Sequence, residues 1–292
     1  MQRVLLSSCR WIAAAGVASG LVVGCATPNV DADAALRAAN QAMGTDNVKS
    51  IRYTTEGTGY TFGQAFVPAA AWPRITVHAQ ARSINYDTGS MREEITISRA
   101  EPTGGGGYPL QGQQKTEQFV SGALAWNQTT GGPQPGPRFV VDRVHQLWIT
   151  PHGVLKAAQR NKARAQARSD GGTALTFTEP GRFAATAIVG ADGTVQRVES
   201  RVPDAVLGEV DVVTTYSNYR DVGGVKFPGR IEQSMAGNPV LDVQVREVEP
   251  NAAVDIVAPE RNVAEIGLPR VSVTPVEYTP VTPRRHTVVE TD

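Results

Sequence analysis

Hydrophobic and polar positions change period several times along the chain, and each change predicts an element. "DADAALRAANQAMG" (Asp31 to Gly44) repeats at helical spacing. Asp31 or Asp33 caps it, Gly44 stops it, and Ala35, Leu36, Ala39 and Met43 form its apolar face. From Val48 the period falls towards two. "VKSIRYTTEGTGYTFGQAF" mixes β-branched and aromatic residues with glycines. "RITVHAQARSINYDTGSMREEITISRAEP" reads as two strands about the turn "DTGS". "TEQFVSGALAWNQ" is a further strand pair. "TGGGGYPLQGQQ" (Thr103 to Gln114) and "TTGGPQPGPR" (Thr129 to Arg138) read as loops.

The main helical segment is "VVDRVHQLWITPHGVLKAAQRNKARAQ". Thr150 caps Pro151 in its first turn, and Lys156, Arg160, Lys162, Arg164 and Arg168 give it a basic outer face. Strands then return with turns at "GADG", "DVGG" and "AGNP", the pattern of an antiparallel meander. Prolines 269, 275, 280 and 283 mark residues 261–292 as an extended, disordered tail.

The first residues follow none of these periods. Arg3 and Arg10 are the only charges before position 25, and "WIAAAGVASGLVVG" between them and Cys25 is small and apolar. That is the composition of a secretory signal, too short for a permanent span of roughly 18–20 residues. Removing residues 1–24 leaves Cys25 as the sole cysteine, because the other is Cys9. No internal disulfide and no cysteine-based zinc site then remains. Residues 25–32 read as a polar linker, and 33–260 as one domain. The composition is 41% hydrophobic and 19% charged, that of a globular protein. Basic and acidic residues balance at 28 each, so nothing in the charge indicates a nucleic-acid partner.

Three resemblances follow from particular residues. Val22-Val23-Gly24-Cys25 resembles the lipobox of bacterial lipoproteins. That resemblance implies cleavage before Cys25, acylation of its thiol and new amino group, and anchoring to a membrane. Ala26 stands where an aspartate would resemble an inner-membrane retention signal. The implied location is the outer membrane, facing the periplasm. "TYSNYRDVGGVKFPGRIEQSMAGNPVLDVQVREVEPN" (Thr215 to Asn251), preceded by "GADGTVQRVES", resembles the C-terminal half of periplasmic lipoprotein-carrier domains of the LolA/LolB and mycobacterial lipoprotein group. The implied fold is α+β: a curved antiparallel half-barrel with helices packed on it, holding acyl chains in an apolar cavity.

A wider resemblance spans about 45–260 and includes "SINYDTGSMREE", "GALAWN" and "LWITPHGVLKAA". It is to the region preceding the hydrolase domain in a group of bacterial metallo-β-lactamase-fold proteins. Their two zinc ions need an HxHxDH cluster. The four histidines here, His78, His145, His152 and His286, include no HxH pair. The resemblance therefore carries the accessory region without the catalysis, and implies a hydrolase as a partner.

The candidate chemistry is sparse. His145 and His152, seven apart, lack clustered carboxylates and read as structural or exposed, not as metal ligands. Glu93 and Glu94 on a strand point to opposite faces, and read as part of a solvated face. No GxSxG, GxGxxG or P-loop occurs, so no catalytic residue, metal site or cofactor is expected. Tyr60, Phe62, Phe66, Trp72, Trp126 and Trp148 remain. They either line an apolar ligand cavity or form the core between sheet and helices, the commoner use of aromatics. The basic face either meets anionic lipid or is simply solvated. Together these readings point to a non-catalytic, lipid-anchored binder of a lipid or other hydrophobic molecule. The alternatives are a stand-alone or truncated hydrolase accessory module and an enzyme of unknown type.

Overall fold

The computed structural model describes residues 29–65, 72–101, 112–204 and 208–259. The expected signal, Cys25, Phe66, most of the first glycine-rich loop and the tail lie outside the described residues.

The chain opens with strand β1 (Asn29–Val30) and helix α1 (Ala32–Met43). Asp31 caps α1 by accepting the backbone N–H groups of Asp33 at 3.0 Å and Ala34 at 3.3 Å. Leu36, Ala39 and Met43 are buried, as the periodicity predicts. Gly44 ends the helix with φ +70°, and a Cβ there would lie 2.1 Å from the Gly224 carbonyl oxygen. Both the left-handed turn and the close approach require glycine.

Five long or medium strands follow: β2 (Ser50–Tyr60), β3 (Arg74–Asn85), β4 (Ser90–Glu101), β5 (Gln114–Ser121) and β6 (Leu124–Thr129). The expected loop after β6 contains a further strand, β7 (Gly132–Pro135). Its backbone pairs with β6 in register Asn127 to Gln134 and Thr129 to Gly132. Its two prolines are tolerated because β7 is the last strand of the sheet.

The expected single helical segment is two helices, α2 (Val140–Trp148) and α3 (Pro151–Arg160), broken where Pro151 disfavours helical backbone in Thr150. Thr150 takes the N-cap position, but its hydroxyl donates to the Leu147 carbonyl at 2.7 Å instead of capping α3. Beyond Arg160 the helical reading fails. Lys162 turns left-handed at φ +51°, and residues Arg164–Ala167 form strand β8. Exposed Arg164 and Gln166 flank buried Ala165, a period of two that pairing with a neighbouring strand stabilises over alanine's helix propensity. The basic residues thus share no single helical face.

The second half is a meander: β9 (Thr173–Glu179), β10 (Phe183–Val189), β11 (Val195–Asp204), β12 (Gly208–Ser217), β15 (Arg230–Met235) and β16 (Asn238–Pro250), with a separate hairpin of β13 (Arg220–Val222) and β14 (Val225–Phe227) between β12 and β15. All neighbours in the large sheet pair antiparallel. Its order is β1-β8-β9-β10-β11-β12-β15-β16-β2-β3-β4-β5-β6-β7. The β16–β2 pairing joins the two halves of the chain.

The sheet must be strongly curved. Arg143 on α2 donates to the carbonyls of Phe119 on β5 (3.0 Å) and Trp126 on β6 (2.8 Å). Two residues later, His145 meets Ser200 on β11 at 2.7 Å. In sheet order β11 lies seven places from β5. Flat, that is about 34 Å at a strand spacing near 4.8 Å, far more than the roughly 10–12 Å diameter of one helix. The sheet curls around α2 without closing, since β1 and β7 are both edges. The fold is the expected α+β half-barrel of antiparallel strands with packed helices. The core lies on the concave side, where α1, α2 and α3 meet inward residues such as Ile51, Leu175, Val198 and Phe227.

Candidate functional site: a cleft inside the curl

One side of α2 is pinned and the other lines a space. Arg143 does the pinning. Besides its two carbonyls it reaches Asn127 Oδ1 at 2.5 Å and lies 4.8 Å from the Phe139 ring centre. On the opposite side, Asp142, His145 and Gln146 face Val202 and Pro203 of β11, Val212 of β12, and Gln233 and Met235 of β15 across a cleft of about 190 Å³. A larger trough of about 440 Å³ lies on the outer face of β9–β12, beside Thr176, Ala184, Glu199 and Arg201. It is open to solvent, and Arg201 is already satisfied by Asp211 at 2.8 Å. The inner cleft is the better site because its walls come from two different layers and its polar groups are held from behind.

Gln146 is held by a buried polar row across the concave face, and His145 by Ser200. Thr55 Oγ1 donates to Gln80 Oε1 at 2.8 Å, and Gln80 Nε2 donates to Glu93 Oε2 at 2.8 Å. Arg82 Nε donates to the same Glu93 oxygen, and Gln118 Nε2 reaches the other at 3.4 Å. Arg82 then spends its two remaining ends on Tyr53 Oη (3.5 Å) and on Gln146 Oε1 (3.1 Å), which lines the cleft. Burial pushes the Arg82 guanidinium down, but the Glu93 charge, Tyr53 and the hydrogen bonds to both together outweigh that and raise it above its ordinary value. Burial raises the Tyr53 phenol. Arg82 is therefore a fixed cation with a fixed counter-ion.

The expected solvated face of Glu93 and Glu94 is half right. They do point to opposite sides. Glu94 is outside, 3.1 Å from Lys115. Glu93 is inside, with 8% of its side chain exposed, and ion-paired to Arg82.

Both mid-chain histidines are buried and bonded. His152 Nε2 lies 3.1 Å from the Lys226 carbonyl, which can only accept, so Nε2 carries the proton; Nδ1 then accepts from Thr45 Oγ1 at 3.0 Å. Burial holds His145 down to about 3 and His152 to about 4. In the unfolded chain both titrate near 6.5. Below that pH the unfolded state binds protons that the folded state refuses. Their contribution is fully present above about pH 6.5 and is lost as the pH falls towards 4. The urea midpoint is expected to drop between pH 7.5 and pH 5, the unfolding free energy falling by up to about 1.4 kcal/mol per pH unit for each histidine. His152→Asn is expected to show about half that drop; a wild-type midpoint flat across the range refutes the account.

The five aromatic candidates among the described residues do not converge. Phe62 and Trp72 meet edge to face at 4.6 Å, beside the ends of β2 and β3. Tyr60 lines a shallow groove of about 260 Å³ with Thr215, Glu232 and Asp242. Trp126 is buried, stacked on Phe119 at 5.0 Å. Trp148 is buried under the Arg160 guanidinium, 4.0 Å from its ring centre. None of these five borders the α2 cleft. Sequence reading missed Arg82, Gln80 and Gln146. Polar residues at alternate strand positions were the available signal, but a register shift between Val77 and Ala79 breaks the alternation ahead of Gln80 and Arg82.

Among the described residues no three His, Cys, Asp or Glu side chains group as metal ligands, and no helix is long and apolar enough to cross a membrane. No protein-family model and no curated protein matches the chain. Solved structures similar to it include two. One is a LolA superfamily protein from Nitrosomonas europaea, 13% identical with a TM-score of 0.41, matching 77% of this chain and 96% of the other. The second is a DUF1329 family protein from Desulfovibrio piger, 8% identical with a TM-score of 0.45, matching 77% and 95%.

Proposed function

We propose that the protein is a non-catalytic, lipid-anchored component of the bacterial cell envelope that faces the periplasm and holds a lipid or other hydrophobic molecule beside α2. The observation that carries this reading is the curl of the sheet around α2. It leaves a cleft whose far wall is apolar at Val202, Pro203, Val212 and Met235 and polar only at Gln233, and whose near wall is polar. Among the described residues serine meets histidine at 2.7 Å twice, at Ser98 with His78 on exposed strand positions and at Ser200 with His145 in the buried interior. Ser200 also bonds the Val212 carbonyl at 3.2 Å, and an imidazole held at about 3 is a poor proton acceptor at neutral pH. Anchoring rests on the lipobox-like run ending at Cys25, where several acyl chains would bind durably at ~0.8 kcal/mol per buried CH₂.

Two measurements test the halves separately. Cys25→Ala is expected to move the protein from the membrane pellet to the soluble periplasmic fraction; unchanged sedimentation with membranes removes the anchor. Native mass spectrometry of the full chain is expected to show a co-purified amphiphile, which Met235→Trp displaces by filling the cleft. If Met235→Trp retains the same bound mass, the ligand lies elsewhere. Partnership with a metallo-β-lactamase-fold hydrolase is the second reading, supported by the resemblance of segments over about 45–260 to the region preceding such hydrolase domains. An HxHxDH encoded in the adjoining DNA is the result it expects.

A further inference from the structure

We propose, resting on the cleft as the ligand site, that Gln146 selects the ligand's polar group: an uncharged ester or amide joined to an apolar chain, in preference to an anionic head. Arg82 sets the orientation of the Gln146 amide. A guanidinium has donors only, so its 3.1 Å bond fixes Gln146 with Oε1 turned towards Arg82 and Nε2 turned away. That amide nitrogen has no protein acceptor among the described residues, and Gln146 borders the cleft. Water satisfies it while the cleft is open. A molecule that displaces the water must offer an acceptor or leave the donor unpaired, and an ester or amide carbonyl offers one.

Charge decides against anions. Arg82, the cation behind this wall, is already neutralised by Glu93. The other ionisable groups on the wall are Asp142, an acid, and His145, neutral at physiological pH. A phosphate or free carboxylate would lose its hydration there and meet no unbalanced positive charge. Hydrocarbon alone would bury Gln146 Nε2 unpaired. The apolar wall of Val202, Val212 and Met235 takes the chain.

The test uses the full mature chain carrying Cys25→Ala, so that no detergent competes for the cleft. 1-Lauroylglycerol, laurate and dodecyl phosphate are titrated below their micellar concentrations. The acylglycerol is expected to bind about tenfold or more tighter than either anion, a gap of about 1.4 kcal/mol. Gln146→Leu is expected to bring all three within about threefold of one another, with a lower urea midpoint because Arg82 loses an acceptor but a transition as cooperative as the parent's. Laurate or dodecyl phosphate binding as tightly as the acylglycerol overturns the selection and leaves the cleft as a ligand site. Retention of the gap in Gln146→Leu does the same. Binding of none of the three overturns both, and unchanged binding in Met235→Trp places the probes outside the cleft and overturns both.

Discussion

Glu93→Ala is expected to cost the protein about 3–5 kcal/mol, because it leaves the Arg82 guanidinium buried without its counter-ion. Arg82 cannot shed its charge as a lysine or histidine would, since its proton is held at any accessible pH. Nor can it turn to water easily, being held on Tyr53 and Gln146 by its other nitrogens. Gln80 and Gln118 lose an acceptor in the same step. Urea unfolding of the full chain measures the loss. The double variant Arg82→Met with Glu93→Leu is expected to regain most of it, since apolar residues of similar volume replace a buried pair at little net cost. A single-variant loss under about 1 kcal/mol, or a double variant no better than the single, rules out a tightly buried pair. A detectable change in ligand selection in the rescued double variant is also expected, because Gln146 would no longer be held from behind.

Phe227→Ala is the other large effect, again about 3–5 kcal/mol, from lost burial and the cavity left behind. Phe227 is fully buried. Its ring lies 5.0 Å from Tyr53 and 6.2 Å from His152. The residue sits on the short β14, outside the large sheet, yet fills the concave side where β2 and α3 meet. Its removal is read as a lower urea midpoint with an unchanged slope. A fall in the slope instead would mean that the hairpin β13–β14 unfolds by itself. Phe227→Leu, which keeps much of the volume, is expected to lose less than half as much.

How much of this was visible beforehand differs by element. α1 was readable to its caps, because Asp31, the apolar spacing and Gly44 all act within one segment. The meander from Thr173 onwards was readable for the same reason: each turn, "GADG", "DVGG" and "AGNP", sits between strands that pair with their neighbours in sequence. β8 was not, since "ARAQA" has a high helix propensity and becomes a strand only through pairing with β9 and β1, a tertiary effect. β7 was hidden by its glycines and prolines, which match a loop by composition. The candidate site was least legible. Glu93 and Arg82 look like ordinary alternating surface charges in "QARSINYDTGSMREE" until the curl turns their face inward. Gln146 gains its importance only because α2 lies inside that curl. The aromatics were the conspicuous residues, but five of the six stand in four separate places in the described structure.

The prolines of β7 have a consequence for how molecules sit beside one another. Gly136 N–H points at Ala125 at 2.8 Å, so by the alternation of a strand Gln134 N–H points the same way and positions 133 and 135 face the free edge. Both are proline, so that edge offers carbonyls but no amide hydrogens at these positions. A strand from a second copy approaching there would find half of every ladder bond missing. A protein crowded at high density on a surface can thus keep a long, unclosed sheet without fusing side by side into a fibre.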